Sequence, residues 1–163
     1  MQRTRDACGE WAREGYVCDD NGVSKVEITD FLGIWKITRE IVEQSGETHH
    51  LTGRAEFSQA ADGVTYHEEG QLVTATGAQF TANRVYHWRD TGNGRVQVLF
   101  DDGRDFHNFD LTSDDLTDQH WCDPDMYHVS YNLADWPVWS SVWTVTGPRK
   151  DYRMITRYRR SGV

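Results

Sequence analysis

Long apolar runs are missing from this sequence. No stretch approaches the roughly 20 apolar residues of a membrane-spanning helix, so none is expected. The opening MQRTRDACGEW carries charges with no apolar segment behind them, which argues against a secretory leader. Cysteines are few: Cys8, Cys18 and Cys122 are odd in number and follow no framework spacing. Reduced thiols and a cytoplasmic location are the expectation, with a Cys8–Cys18 bridge as the alternative. Positive charge is in deficit. Lys and Arg number 17 against 26 Asp and Glu, a formal net charge of −9. That balance argues against a general nucleic-acid binder and against docking on anionic membranes. Also absent are a glycine-rich phosphate loop, a Ser/His/Asp order and a redox CxxC pair.

What the chain does have is aromatic weight and a period of two. Its 163 residues suit one ordinary domain, and 12% are aromatic, with 7 Trp and 7 Tyr. Residues 1–29 are polar and aperiodic and read as a lead-in, partly helical around 4–14. Residues 30–163 form the domain proper. From Phe31 onward apolar residues alternate: Gly33, Trp35, Ile37 and Ile41; Leu51, Gly53, Ala55 and Phe57; Phe80, Ala82, Tyr86 and Trp88; Val96, Val98 and Phe100; Tyr127, Val129, Tyr131 and Leu133. One apolar face and one polar face is the antiparallel pattern. Turn chemistry at ADG 61–63, TGNG 91–94, DDG 101–103, DPD 123–125 and GPRKD 147–151 links neighbours. About 8–10 such strands would expose two long edges unless the sheet closes. The expected fold is all-β: a closed antiparallel up-and-down β-barrel with room for a small ligand.

Strand phase then predicts which polar residues point inward. Arg39 lies between Ile37 and Ile41. Glu68 shares the face of Tyr66, and Arg84 that of Phe80 and Tyr86. A two-residue Asp102-Gly103 loop would set Val98 opposite His107 and turn His107 inward as well. A buried charge must be paired, hydrated or neutralised. Two arrangements satisfy this: an ion-pair cluster of purely architectural value, or an arginine left to bind an anionic or carbonyl group of a ligand. Glu68 and His107 are the candidate general acid/base groups. Burial would raise the Glu68 pKa and a neighbouring Arg would lower it, and both outcomes stay open. Tyr66, Tyr86, Tyr127, Tyr131 and Trp143 are read as ligand-lining residues beside Arg39 and Arg84.

Two further motifs bear on function. In HWCDPD, His120 and Cys122 share a strand face and Asp125 follows a turn. With His107 they could offer a metal His, Cys and carboxylate ligands. The spacing fits no strong zinc pattern, so no metal is assigned, and the plainer reading is a buried thiol and a turn-capping Asp. In GPRKDY, a solvated hairpin with a local Lys150–Asp151 pair competes with Arg149 and Lys150 guarding the barrel mouth.

Gly33-x-Trp35 at the head of the first strand resembles the Gly-x-Trp signature of lipocalin and related calycin barrels. That resemblance implies a Trp plugging the closed end and a late Arg packed over it, a part that falls to Arg157, Arg159 or Arg160, with Arg160 in phase with Tyr158. Residues 31–160 more specifically resemble an uncharacterised lipocalin-like domain-of-unknown-function family of bacteria and fungi. The motifs that carry this are FLGIW, YHEEG, YHW, DGRDFH, HWCDPDMY and GPRKDY. The family implies a fold and transfers no catalytic residue. Haem-binding barrels of the nitrobindin kind are a more distant comparison, because Ile37 stands where their pattern has a second glycine.

The leading expectation is a binding barrel for a small, partly apolar, anionic or carbonyl-bearing molecule, without a cofactor, as a monomer or homodimer. A cofactor-free enzyme of isomerase, cyclase or hydrolase type, using Glu68 or His107, is the alternative. A haem barrel with His107 or His120 as axial ligand is the second.

Overall fold

A computed structural model describes residues 17–18 and 24–162. The predicted helix around 4–14 and Cys8 lie outside the described residues. Ten strands form one antiparallel sheet: β1 (Gly33–Glu43), β2 (Thr48–Ala60), β3 (Gly63–Val73), β4 (Gln79–Gly92), β5 (Arg95–Phe100), β6 (Asp105–Asp110), β7 (Thr117–Cys122), β8 (Asp125–Asn132), β9 (Trp139–Thr146) and β10 (Tyr152–Arg160). Their order in the sheet is β6-β5-β4-β3-β2-β1-β10-β9-β8-β7. The first and last strands pair, Trp35 opposite Arg160, so the meander rolls into a nearly closed barrel. The seam lies between β6 and β7, where the Asn108 amide donates to the Asp118 carboxylate at 2.6 Å. No helix among the described residues is long and apolar enough to cross a membrane.

Alternation decides the packing. Trp35, Ile37, Leu51, Ala55, Phe57, Val64, Tyr66, Trp88, Val96 and Val98 all turn inward and are buried. β2 and β3 approach each other closely where Gly53 faces Gly70. A Cβ on Gly53 would lie 2.1 Å from the Glu69 carbonyl oxygen, so only glycine permits this approach.

One end of the barrel is plugged. A single 3-10 turn, Ile28–Phe31, drops Phe31 against Phe57, Trp88, Trp136 and Trp139, with ring centroids 4.8–5.6 Å apart. Trp35 donates its indole N–H to the Phe31 carbonyl at 2.8 Å. Arg160 lies over the Trp35 ring at 4.3 Å and donates to the carbonyls of Leu32, at 2.7 Å, and Asp30. The guanidinium thus covers the plug and satisfies the carbonyls that the short turn leaves over.

The β5–β6 hairpin differs from the expected two-residue loop. Asp101, Asp102 and Gly103 form a three-residue loop, closed by Gly103 N–H to the Phe100 carbonyl and Phe100 N–H to the Arg104 carbonyl, both 2.9 Å. Gly103 takes φ +86, which such a loop requires of its last residue. That length alone would invert the phase of β6. A bulge at Phe106 restores it: Leu99 faces Asp105, yet Val98 faces His107. His107 is inward as expected, but for a different reason, and Phe106 is turned inward beside it.

Candidate functional site

The inward charges form a compact cluster. Arg39 donates Nη1 to Glu68 Oε1 at 2.6 Å, Nη2 to Glu68 Oε2 at 2.7 Å and Nε to Thr156 Oγ1 at 2.7 Å. Tyr66 donates its hydroxyl to Glu68 Oε2. Register brings them together: Glu68 lies opposite Arg84 and Tyr66 opposite Tyr86, while Arg39 lies opposite Thr156. Burial works to raise the Glu68 pKa, but Arg39, Arg84 and the Tyr66 hydroxyl outweigh it and hold it below its ordinary value. Glu68 is therefore an ionised carboxylate with both oxygens engaged. Burial likewise opposes the Arg39 charge, and Glu68 outweighs it.

Arg84 is placed differently. Its Nε stands 4.0 Å from Glu68 Oε1, beyond a hydrogen bond, and its side chain keeps 40% of its exposure. Two guanidiniums share one carboxylate, so one positive charge, that of Arg84, is left without a carboxylate of its own where the interior opens into solvent. Among the described residues Arg84 has no other carboxylate within 4.0 Å.

Two spaces meet at Arg84. The inner chamber, about 30 Å³, is bounded by Arg84, Tyr86, His107, Tyr131, Ser141, Trp143 and the Arg39–Glu68 pair. Above it, at the open end, lies a cup of about 600 Å³. Arg84, Arg104 and Lys150 supply cations to the cup. Tyr86, Phe100, Phe106, Trp121, Tyr127, Trp143 and Tyr152 supply rings, His120 an imidazole, and Asp105 is its one carboxylate among the described residues. Lys150 donates to the Tyr127 hydroxyl at 2.6 Å and lies 5.4 Å over its ring. It is a mouth residue and not the partner of Asp151. Arg104 is tied to Asp102 at 2.7 Å.

His107 borders the chamber with one ring nitrogen engaged. Its Nε2 is 2.8 Å from the Tyr131 hydroxyl, and its Nδ1 is buried without a partner among the described residues. Burial, with a contribution from His120, pushes its pKa down to about 3, so the imidazole is neutral. Burial also holds the Tyr131 phenol well above its ordinary value. The metal ligands weighed from HWCDPD do not converge. Among the described residues no group of three or more His, Cys, Asp or Glu could hold an ion. Asp125 is buried and accepts the Arg149 amide at 3.4 Å, and the Cys122 thiol is exposed at the cup rim, contrary to the buried thiol expected.

Of the residues expected to line a ligand site, Arg84, Tyr86, Tyr127 and Trp143 border the cup, whereas Arg39, Tyr66 and Tyr131 lie deeper, around the chamber. Sequence reasoning missed Phe100 as a site residue, and Phe106, Tyr152 and Arg104 altogether. For Phe100 and Tyr152 the signal was a mouthward position, in phase with inward residues, on strands already recognised as amphipathic; Phe106, at a bulge, and Arg104, before its strand, gave none.

An S-type phycobiliprotein lyase from Guillardia theta has a similar structure, with a TM-score of 0.60 at 8% identity over 85% of this chain and 95% of that one. A redesigned β-barrel, mFAP1, bound to DFHBI, gives a TM-score of 0.39 at 12% identity over 82% of this chain and 97% of that one. No curated protein sequence matches this chain. The model of a family of unknown function, DUF6314, matches residues 31–160, and the chain belongs to that family.

Proposed function

We propose that this barrel binds a small, partly apolar anion in the cup at its open end. The observation that carries this reading is the uncompensated charge of Arg84 at the base of an aromatic cup in a protein of net charge −9. A recessed guanidinium with only a shared counter-charge is costly unless an anion answers it. The aromatic walls supply apolar burial, and a volume of about 600 Å³ suits an ordinary small-molecule site. Lys150, held by Tyr127, adds a second cation at the rim. Binding is favoured over acid–base catalysis because both oxygens of Glu68 and Nε2 of His107 are already engaged.

Titration with anilinonaphthalenesulfonate and with its uncharged relative phenylnaphthylamine tests the reading. The anion should bind at least tenfold more tightly, and Arg84→Gln should abolish that preference without unfolding the protein. Equal affinity for the two dyes in the native protein would refute it.

A further inference from the structure

The bulge at Phe106 has a consequence for how deep a ligand reaches. The Phe106 ring lies stacked between Phe100, centroid 4.3 Å away at 17°, and Trp143, 4.9 Å away at 14°. Three near-parallel rings leave the middle one in a slot one ring thick. Phe106 borders the cup but not the inner chamber, whereas Arg84, Tyr86 and Trp143 border both. Phe106 is thus part of the floor of the cup, with the chamber behind it. The chamber, at about 30 Å³, has the size of a water molecule or one small polar group, and its polar wall joins the tyrosine and Ser141 hydroxyls and the His107 imidazole to Arg84, beside a Glu68 whose oxygens Arg39 already holds.

Building on the anion-binding reading above, we propose that the chamber is the subsite for the acid group of a flat, conjugated monocarboxylate, whose ring takes the place of Phe106 between Phe100 and Trp143.

Three observations support the ligand's chemistry. The slot accepts one flat ring and already holds one. The cluster of Arg39, Glu68 and Arg84 leaves one positive charge beside the chamber, which one carboxylate neutralises. The chamber is too small for a ring, so only the acid group enters it. Phe106 stands at a bulge, flanked by the Asp101–Gly103 loop and the unladdered edge of β6. Its strand is laddered on one side only and the bulge interrupts that ladder at Phe106.

The probes are anthracene carboxylate and the uncharged anthracene carboxamide, read by probe fluorescence and by Trp143 quenching. Phe106→Ala should tighten the carboxylate by roughly tenfold, because the ring that the ligand must displace is gone. Phe106→Leu, which keeps the floor filled but not flat, should give a smaller gain. Adding Arg84→Gln to Phe106→Ala should erase the gain, which a loosened core binding dye indiscriminately would not do. Carboxylate binding that is unchanged or weaker in Phe106→Ala overturns the subsite and leaves the cup reading standing. A gain shared equally by the carboxamide overturns it too. If neither the native protein nor either variant binds any of these anions, both readings fall.

Discussion

Arg39 and Glu68 meet face to face through two parallel hydrogen bonds of 2.6 and 2.7 Å in the centre of the barrel, with side chains only 5% and 3% exposed. They are 29 residues apart in sequence, on β1 and β3, and meet across the intervening β2. Their pairing fixes the charge of Glu68 and leaves Arg84 as the cation that faces the cup.

Removing one partner should be costly. Glu68→Gln leaves two arginines near each other without a counter-charge and should lower stability by about 3–5 kcal/mol. Equilibrium urea unfolding reads this directly. A loss under about 1 kcal/mol would mean that water, and not the pair, carries the charge.

Stability should fall on acidification in two windows. His107 has a folded-state pKa near 3 against an ordinary 6.5, so below pH 6.5 the unfolded chain takes up a proton that the native state refuses. Stability therefore declines as pH falls from 6.5 towards 3. Glu68, held low, contributes fully above its ordinary value of about 4.3 and loses its contribution below it. His107→Gln should flatten the first decline and spare the second. Chemical denaturation at a series of pH values separates the two.

The closed end rests on Arg160. Arg160→Ala exposes the Trp35 ring and orphans the carbonyls of Asp30 and Leu32, a loss of roughly 2–4 kcal/mol. Arg160→Lys should recover part of this, since an ammonium keeps the charge but not the planar fork. Thermal melts of the three proteins should rank native, Lys, Ala.

Salt should act on the rim more than on the floor. Arg104 and Lys150 are exposed, so raising ionic strength should slow the association of anilinonaphthalenesulfonate while altering its dissociation little. Stopped-flow measurement in Lys150→Gln should show a shallower salt dependence. An unchanged slope would remove Lys150 from the capture step.

The seam should be the first ladder region to exchange. Asp118→Ala removes the acceptor of the Asn108 amide and should expose that single proton to hydrogen exchange at about 1 kcal/mol of stability. Protection retained at Asn108 would show that β6 and β7 are joined by more than this contact.

Period-two alternation was enough to place Arg39, Glu68 and Arg84 inside, because phase is set by each strand alone and does not depend on neighbours. It also marked Trp35, and the phase of Tyr158 led to Arg160. What alternation cannot register is an inserted residue. The bulge at Phe106 turns two consecutive side chains inward, so Phe106 looked outward-facing in the sequence. The division of the interior into a cup and a chamber depends on how large rings stack across strands that are distant in sequence, as Phe100, Phe106 and Trp143 do. Pairing between inward charges was likewise open. Register sets Arg84 directly opposite Glu68, yet Arg39 clasps it from two strands away, a contact across the interior that strand phase does not encode.

The two strands adjacent in sequence at mid-chain, β6 and β7, are the two ends of the sheet, and the two most remote, β1 and β10, are hydrogen-bonded partners. The ladder therefore runs unbroken from β7 through β10 and β1 to β6. A circular permutant cut within residues 111–116, its original ends bridged by a linker, would read as ten strands in simple spatial order and sever no pairing. Split at the same place, the two halves are candidates for reassembly from separate polypeptides, each bringing one wall of the cup: β5 with Phe100 and β6 with Phe106 on one, β9 with Trp143 on the other.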